Sequence, residues 1–240
     1  MNHTQIPDWV RDRVIDRRGK FHVFDDMAPA RTALVVVDMQ NGFLMEGVAH
    51  AVIDHARDIV PAINRLAAAV RDLGGLVVWV RTAATEESFK SWSIAYDKLA
   101  NPARAKKRIA ALTPGSLGHQ LWAAMDARTA DPIVDKTRFS AFIQGSSPIE
   151  ALLRGRGIDT VLITGTATNV CCESTARDAA MRNFQTVMVS DALAAKTDEE
   201  HNAALMNFAL NFGDVMTVDE ALGYLRVNAA EQAAPGERPA

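Results

Sequence analysis

Apolar residues follow two alternating patterns along the chain: short β-branched runs, and longer segments in which they recur at helical spacing. The short runs are typical of strands buried on both faces. They predict strands over residues 32–38, 76–80, 132–134, 160–163, 186–189 and 215–218. Helical spacing predicts helices over residues 52–73, 117–125, 148–154 and 199–211, and a further helix that begins near Asn169.

This alternation of strands and helices predicts the fold class. We expect a three-layer α/β/α, Rossmann-like architecture, with a mostly parallel sheet of about six strands and helices on both faces. A chain of 240 residues is long enough for one such domain, which we place over residues 32–228. Residues 1–31 are polar and predict an arm that lies on the domain or on a neighbouring subunit, or else a solvated extension. Residues 229–240 predict a disordered tail.

Charge and composition narrow the kind of partner. Lysine and arginine number 26 and the acids 29, so the net charge is 26 − 29 = −3, and no basic field points to nucleic acid or an anionic membrane. We therefore expect a small-molecule partner. No apolar run approaches the roughly 20 residues that span a bilayer. The first residues contain no apolar signal region, and the two cysteines are adjacent, so we expect a cytoplasmic protein.

Three residues whose side chains could take part in catalysis follow predicted strands: Asp38, Lys136 and Cys171. The carboxyl ends of parallel strands are where α/β proteins bind ligands, so one crevice can gather all three. Cys171 would lie in the first turn of its helix, where free N–H groups and the helix dipole favour a thiolate. Asp38 could accept the thiol proton, and Lys136 would lower the pKa of the cysteine. The alternatives are a turn-capping Asp38 and two cysteines, Cys171 and Cys172, that are only core residues.

Small residues at positions 165–168 form a loop before Cys171, and the N–H groups of Ala167 and Cys171 could form an oxyanion hole. Segment 83–112 is long for a connection in a compact domain, which is typical of a lid or specificity element. Within it Trp92 either contacts substrate or only packs in the lid. The candidate substrate contacts are Gln40, Asn41, Phe43, Trp92, Phe139 and Thr168.

Three motifs carry a resemblance to a known family: DMQNGF at 38–43, DKTRFSAF at 135–142 and TGTATNVCCESTARDA at 164–179. Together they resemble the isochorismatase-like cysteine hydrolase superfamily over roughly residues 31–225. The resemblance implies that Asp38 is the general base, that Lys136 supports the nucleophile, and that Cys171 forms a thioester with the acyl group. It also implies a cis peptide bond before Ala167.

The same resemblance implies an amidohydrolase that cleaves a C–N bond of a small amide, ureido or N-carbamoyl compound. The motifs look most like the ureidoacrylate amidohydrolase branch, although segment 83–112 departs from it. Metal-binding relatives carry an Asp-x-His pair and further histidines, whereas this chain has only His50, Asp54 and His55 in that region. We therefore predict no metal and no cofactor, and we expect a homo-oligomer, either dimer or tetramer.

Other functions stay open at this point. One is a nicotinamidase-type or other amide hydrolase with an unrelated substrate. A second, of a different class, is a catalytically idle oligomeric module that binds a small molecule. A third is a thiol redox protein that uses Cys171 and Cys172, which adjacency disfavours because a disulfide between neighbouring residues is strained.

Overall fold

The computed structural model describes residues 1–233, and these residues contain one sheet of six parallel strands. The strands lie in the order β3-β2-β1-β4-β5-β6. This confirms the predicted α/β fold. The strands are β1 (Thr32–Val37), β2 (Leu76–Thr82), β3 (Ile133–Lys136), β4 (Thr160–Thr166), β5 (Gln185–Ala194) and β6 (Asp214–Met216).

Helices cover both faces of the sheet. They are α1 (Asp8–Arg18), α2 (Asn41–Leu44), α3 (Val60–Asp72), α4 (Glu86–Ser91), α5 (Ser93–Asp97), α6 (Pro102–Leu112), α7 (Ile149–Arg154), α8 (Glu173–Met181), α9 (Asp198–Asn211) and α10 (Val218–Ala233). Alternate residues of a strand point to opposite faces. In β1, Val36 packs in the layer that contains α3 and α10, and Val35 packs in the layer that contains α7, α8 and α9.

The centre of the sheet is its topological switch point. From β1 the chain first adds β2 and β3 on one side, and then crosses to add β4, β5 and β6 on the other. Ligand crevices form at the carboxyl ends of the strands at such a point. Gly165 in β4 has a φ of 107°, and a Cβ atom there would lie 2.0 Å from the carbonyl oxygen of Val37. Only glycine therefore lets β4 approach β1 this closely.

Two predicted helices differ from the structure. The helix predicted from residue 52 begins at Val60, because Pro61 fits the first turn of a helix and residues 54–56 form a separate 3₁₀ turn. The helix predicted over residues 117–125 is wrong. Its backbone bonds instead to the exit of β1, where Trp122 N–H donates to Met39 O at 2.8 Å and Asn41 N–H donates to Gln120 O at 2.9 Å.

Six of these helices had no counterpart in the sequence prediction: the short α2, the three helices α4, α5 and α6 within segment 83–112, and α1 and α10 near the two ends of the described chain. Val10 and Val14 of α1 are buried, and α1 packs on α9, so the N-terminal arm lies on the domain. Helix α10 packs on α3 and β5 and continues to residue 233, so the predicted disorder is wrong for residues 229–233. The rest of that predicted tail lies outside the described residues. Within residues 1–233, no helix is both long enough and apolar enough to cross a membrane.

The start of the arm is fixed to the N-terminal end of α9. Asn2 Nδ2 donates to Asp198 Oδ1 at 3.0 Å, and Asn2 Oδ1 accepts from the N–H of Ala195 at 2.9 Å. The hydroxyl of Thr4 lies 3.1 Å from Nε2 of His201, which is fully buried. The first residues of the chain therefore reach the helix that packs beneath the loop after β4.

Candidate active site

Four neighbouring strands each bring a chemical group to the same edge of the sheet. Lys136 is the last residue of β3 and lies opposite Thr82, the last residue of β2. Asp38 follows β1, and its N–H donates to Val80 O at 2.8 Å. The loop that carries Cys171 follows β4. The strand order β3-β2-β1-β4 therefore brings together the three residues that the sequence predicted.

A buried ion pair forms the base of the site. Lys136 Nζ donates to Asp38 Oδ2 at 2.9 Å, to Thr82 Oγ1 at 2.6 Å and to Arg138 O at 3.1 Å, which uses all three ammonium donors. Thr82 Oγ1 in turn donates to Asp38 Oδ1 at 2.9 Å. Both charged side chains are fully buried. Burial lowers the pKa of Lys136, but the negative charge of Asp38 and its hydrogen bond outweigh this effect, so the pKa is raised and the lysine stays protonated.

Cys171 lies in a π-helical turn, Thr168–Cys172, directly before α8. Its side chain lines a pocket and is almost entirely buried. Burial, and then the negative charge of Asp38, raise the pKa of the thiol to about 12, and the charge of Lys136 opposes this only in part. Lys136 does lower the pKa of the thiol, as the sequence predicts, but burial and the charge of Asp38 outweigh it, so the net shift opposes the thiolate that the helix entry was expected to favour. At neutral pH the thiol is protonated.

Cys172 has a different environment from Cys171. It is fully buried, it does not line the pocket, and its Sγ lies 3.8 Å from the carbonyl oxygen of Thr164 as a weak donor. Burial raises its pKa well above the ordinary value. One thiol therefore faces the pocket and the other faces the core.

The loop after β4 turns at Ala167. The peptide bond between Thr166 and Ala167 is cis. Ala167 O accepts from the N–H groups of Val170 and Cys172 at 3.1 and 3.2 Å. The π-helical turn therefore begins at Thr168, one residue before the predicted start at Asn169, and no side chain caps it. Within residues 1–233, the N–H of Ala167 donates to no protein acceptor.

The pocket above these groups has a volume of about 410 Å³. Its walls are mostly apolar, and its polar residues are Thr82 and Cys171 at the ion pair, His50, and two arginines of α6. The apolar residues are Phe43, Ala51, Ile53, Leu112, Phe139, Ala167 and Val170. Phe43 and Phe139 are two of the predicted substrate contacts.

Gln40 and Asn41, also predicted to contact substrate, have structural roles instead. Gln40 Oε1 accepts from Thr82 N–H at 2.7 Å, and its Nε2 donates to the carbonyl oxygens of Thr82 and His119 at 3.2 and 3.0 Å. Asn41 Nδ2 donates to Leu117 O at 2.9 Å. Neither residue lines the pocket, because both side chains hold segment 117–122 against the ends of β1 and β2.

Thr168 and Trp92 do not line the pocket either. The hydroxyl of Thr168 lies 2.9 Å from Nδ1 of His201, whose other ring nitrogen contacts Thr4. Burial lowers the pKa of His201 to about 4, so this ring is neutral and links the arm to the loop that carries the thiol. Trp92 packs edge-on against Phe139, with ring centroids 4.8 Å apart, which fits the alternative that it packs within the lid.

His50 is a pocket residue that the sequence did not assign to substrate binding. Its Nδ1 lies 3.0 Å from the carbonyl oxygen of Gly42, so Nδ1 carries the proton and Nε2 keeps a lone pair. Burial, and then the charge of Arg108, lower its pKa to about 4. The ring is therefore neutral at physiological pH.

Among residues 1–233, no cluster of three or more His, Cys, Asp or Glu side chains is arranged to hold a metal ion.

A parallel α/β sheet with an acid, a lysine and a cysteine at one carboxyl-edge pocket is an arrangement typical of a hydrolase. A family model described as the isochorismatase domain matches residues 32–220. The chain therefore belongs to the isochorismatase family, and it is a hydrolase.

Relatives agree with this assignment. The chain is 35% identical over 213 residues to a ureidoacrylate amidohydrolase of Variovorax paradoxus, and this alignment covers 79% of each chain. It is 30% identical over 212 residues to a ureidoacrylate amidohydrolase of Klebsiella pneumoniae, which covers 80% of this chain and 86% of the relative. Among solved structures, a cysteine hydrolase from Pseudomonas syringae superposes with a TM-score of 0.72 at 27% identity, covering 85% of this chain and 96% of the other.

Proposed function

We propose that this protein cleaves a C–N bond of a small ureido, N-carbamoyl or amide compound through an acyl-enzyme on Cys171. The observation that carries the proposal is the position of Cys171, which lines the pocket directly beside a fully buried Asp38–Lys136 pair. The relatives named ureidoacrylate amidohydrolases favour a ureido substrate.

The first half of the reaction forms the acyl-enzyme. Because the Cys171 thiol is protonated at neutral pH, Asp38 takes the proton as Sγ attacks the carbonyl carbon. The N–H groups of Ala167 and Cys171 stabilise the oxyanion, and the free N–H of Ala167 supports this role. The C–N bond then breaks, Asp38 returns the proton to the leaving nitrogen, and ammonia or an amine departs.

The second half releases the product. Asp38 takes a proton from water, and the resulting hydroxide attacks the acyl carbon. The C–S bond breaks, and Sγ recovers the proton from Asp38. Throughout both halves Lys136 stays protonated, so its charge balances the buried carboxylate of Asp38.

The two adjacent cysteines provide a matched test. We expect Cys171→Ser to abolish ammonia release and to leave the fold intact. Cys172→Val should retain turnover near that of the wild type, with a stability change of about 1 kcal/mol or less, because it replaces a small core residue with one of similar size. Ammonia release is measured across amides and ureido compounds, and mass spectrometry locates the acyl adduct.

Two results would contradict the proposal. One is an active Cys171→Ser variant with label on Cys172. The other is wild-type protein that releases no ammonia from any of these compounds and carries no adduct on Cys171.

A further inference from the structure

One stripe of α6 leads from the floor of the pocket to its mouth. Leu112, Arg108 and Arg104 are spaced four residues apart, so they share one helix face, and all three line the pocket. Leu112 is fully buried, Arg108 is half-buried and Arg104 is exposed. With a rise of about 1.5 Å per residue, the two arginines stand roughly 6 and 12 Å above Leu112 along the helix axis.

Aromatic side chains hold the Arg108 guanidinium in place. Its Cζ lies 4.8 Å from the ring centroid of Tyr96, 5.3 Å from that of Trp92 and 5.7 Å from that of Phe139. Such cation–π contacts attract the guanidinium to the rings and use none of its N–H groups as hydrogen-bond donors to a polar acceptor. Across residues 1–233, neither Arg108 nor Arg104 has a carboxylate partner, and neither guanidinium donates a hydrogen bond to the protein. The Arg108 guanidinium is therefore held at the pocket by aromatic rings, and its donors are free for a ligand.

The remaining charges of the pocket do not balance these arginines. Asp38 and Lys136 cancel each other, the Cys171 thiol is protonated, and the His50 ring is neutral. The pocket therefore has an excess of positive charge. A planar guanidinium matches a carboxylate through two parallel hydrogen bonds, which makes an acid the natural complement.

We propose that Arg108, assisted by Arg104, selects substrates that carry a carboxylate some atoms away from the scissile ureido or amide group. The inference rests on the proposed function and adds a specificity-determining pair to it. Both arginines lie on α6, away from the ion pair of Asp38 and Lys136, so they bind the substrate and leave bond cleavage to the residues at the sheet edge.

The test compares a ureido acid, 3-ureidopropionate, with its uncharged methyl ester, and uses ammonia release as the readout. We expect wild-type enzyme to prefer the acid. Arg108→Gln should raise KM for the acid roughly 10- to 100-fold, the range expected for lost hydrogen bonds to a charged group, with kcat changed by less than about threefold. KM for the ester should change by less than about threefold, because the ester makes no ion pair.

Two further variants control for general effects of charge and packing. Lys106→Gln removes one positive charge from an exposed position on the same helix, away from the pocket, and should leave both substrates unaffected. Arg108→Lys keeps the charge but not the planar fork, and should restore part of the acid preference. Thermal unfolding of each variant shows whether the protein is folded.

A binding measurement separates this proposal from the proposed function. The Kd of the acid is measured by calorimetry on Cys171→Ser, with and without Arg108→Gln. Acid binding that depends on Arg108 supports the carboxylate site even in a protein that releases no ammonia. Equal turnover of acid and ester by the wild type, or an equal effect of Arg108→Gln on both, overturns the carboxylate site and leaves the proposed hydrolysis standing.

Discussion

Replacing Thr82 with valine removes a single oxygen atom from the buried ion pair and preserves the branched shape of the side chain. That oxygen donates to Asp38 Oδ1 at 2.9 Å and accepts from Lys136 Nζ at 2.6 Å. The backbone of Thr82 also bonds to Gln40, but neither valine nor serine alters those bonds. The substitution therefore isolates the hydroxyl.

The loss of stability expected for Thr82→Val can be estimated from the hydrogen bonds that Lys136 keeps. Lys136 keeps its bonds to Asp38 Oδ2 and Arg138 O, so the pair is weakened but not broken. Removing one partner of a buried pair costs about 3–5 kcal/mol, and a hydrogen bond to a charged group contributes about 1.5–3 kcal/mol. We expect Thr82→Val to lower the free energy of unfolding by about 3 kcal/mol. Because Asp38 loses the donor that orients it, kcat should fall roughly 10- to 100-fold.

Urea unfolding and ammonia-release kinetics measure the two effects on the same preparation. Thr82→Ser is the matched control, since it keeps the hydroxyl and loses only a methyl group. Its stability should stay within about 1 kcal/mol of the wild type, with kcat within about threefold. The reasoning is refuted if Thr82→Val stays within about 0.5 kcal/mol of the wild type, or if serine is as damaging as valine.

Three other predictions test neighbouring features. Lys136→Met should lose most of kcat, because Asp38 is left without its counter-charge; a loss below about tenfold, roughly 1.4 kcal/mol, would make the lysine structural. Stability should fall as pH rises above about 9: Cys171 has a pKa of about 12 when folded and 9.0 ordinarily, so its contribution is complete below 9 and is lost toward 12. The raised pKa of Lys136 acts in the same direction above 10.5, and a Tm that stays flat up to pH 11 would contradict the raised pKa of Cys171. Gly165→Ala should destabilise by about 3 kcal/mol or more, whereas Gly157→Ala, with a positive φ but open space around it, should cost only about 1 kcal/mol in urea unfolding; equal losses would mean that the clash with Val37 is relieved.

The sheet could be predicted from the sequence because its central strands are continuous apolar runs. The residues after those runs, Asp38 and Lys136, were visible for the same reason, since parallel strands end at a common edge. Segment 117–122 was not predictable in this way. Its spacing suits a helix, but its backbone bonds are made to residues 39–42, which are distant in sequence.

Features of the site that depend on burial or on strand register could not be predicted from the sequence. The raised pKa of Cys171 arises from its enclosure, which no local motif encodes. Thr82 looks like an ordinary strand residue, and its place between Asp38 and Lys136 emerges only from the register of β2 and β3. The sequence does contain one indication of the position of Arg108, because its spacing with Leu112 places both residues on one face of a helix. The sequence did not show that this face lines a pocket.

The match to the family model starts at residue 32, yet a residue of the N-terminal arm helps to hold the loop that carries Cys171. Thr4 contacts one ring nitrogen of the buried His201, and Thr168 contacts the other. A fragment trimmed to residues 32–220 would lack Thr4 and so lose its contact with the buried ring that Thr168 also contacts. Through His201, the arm therefore supports the loop that carries Cys171 from a part of the chain outside the matched domain.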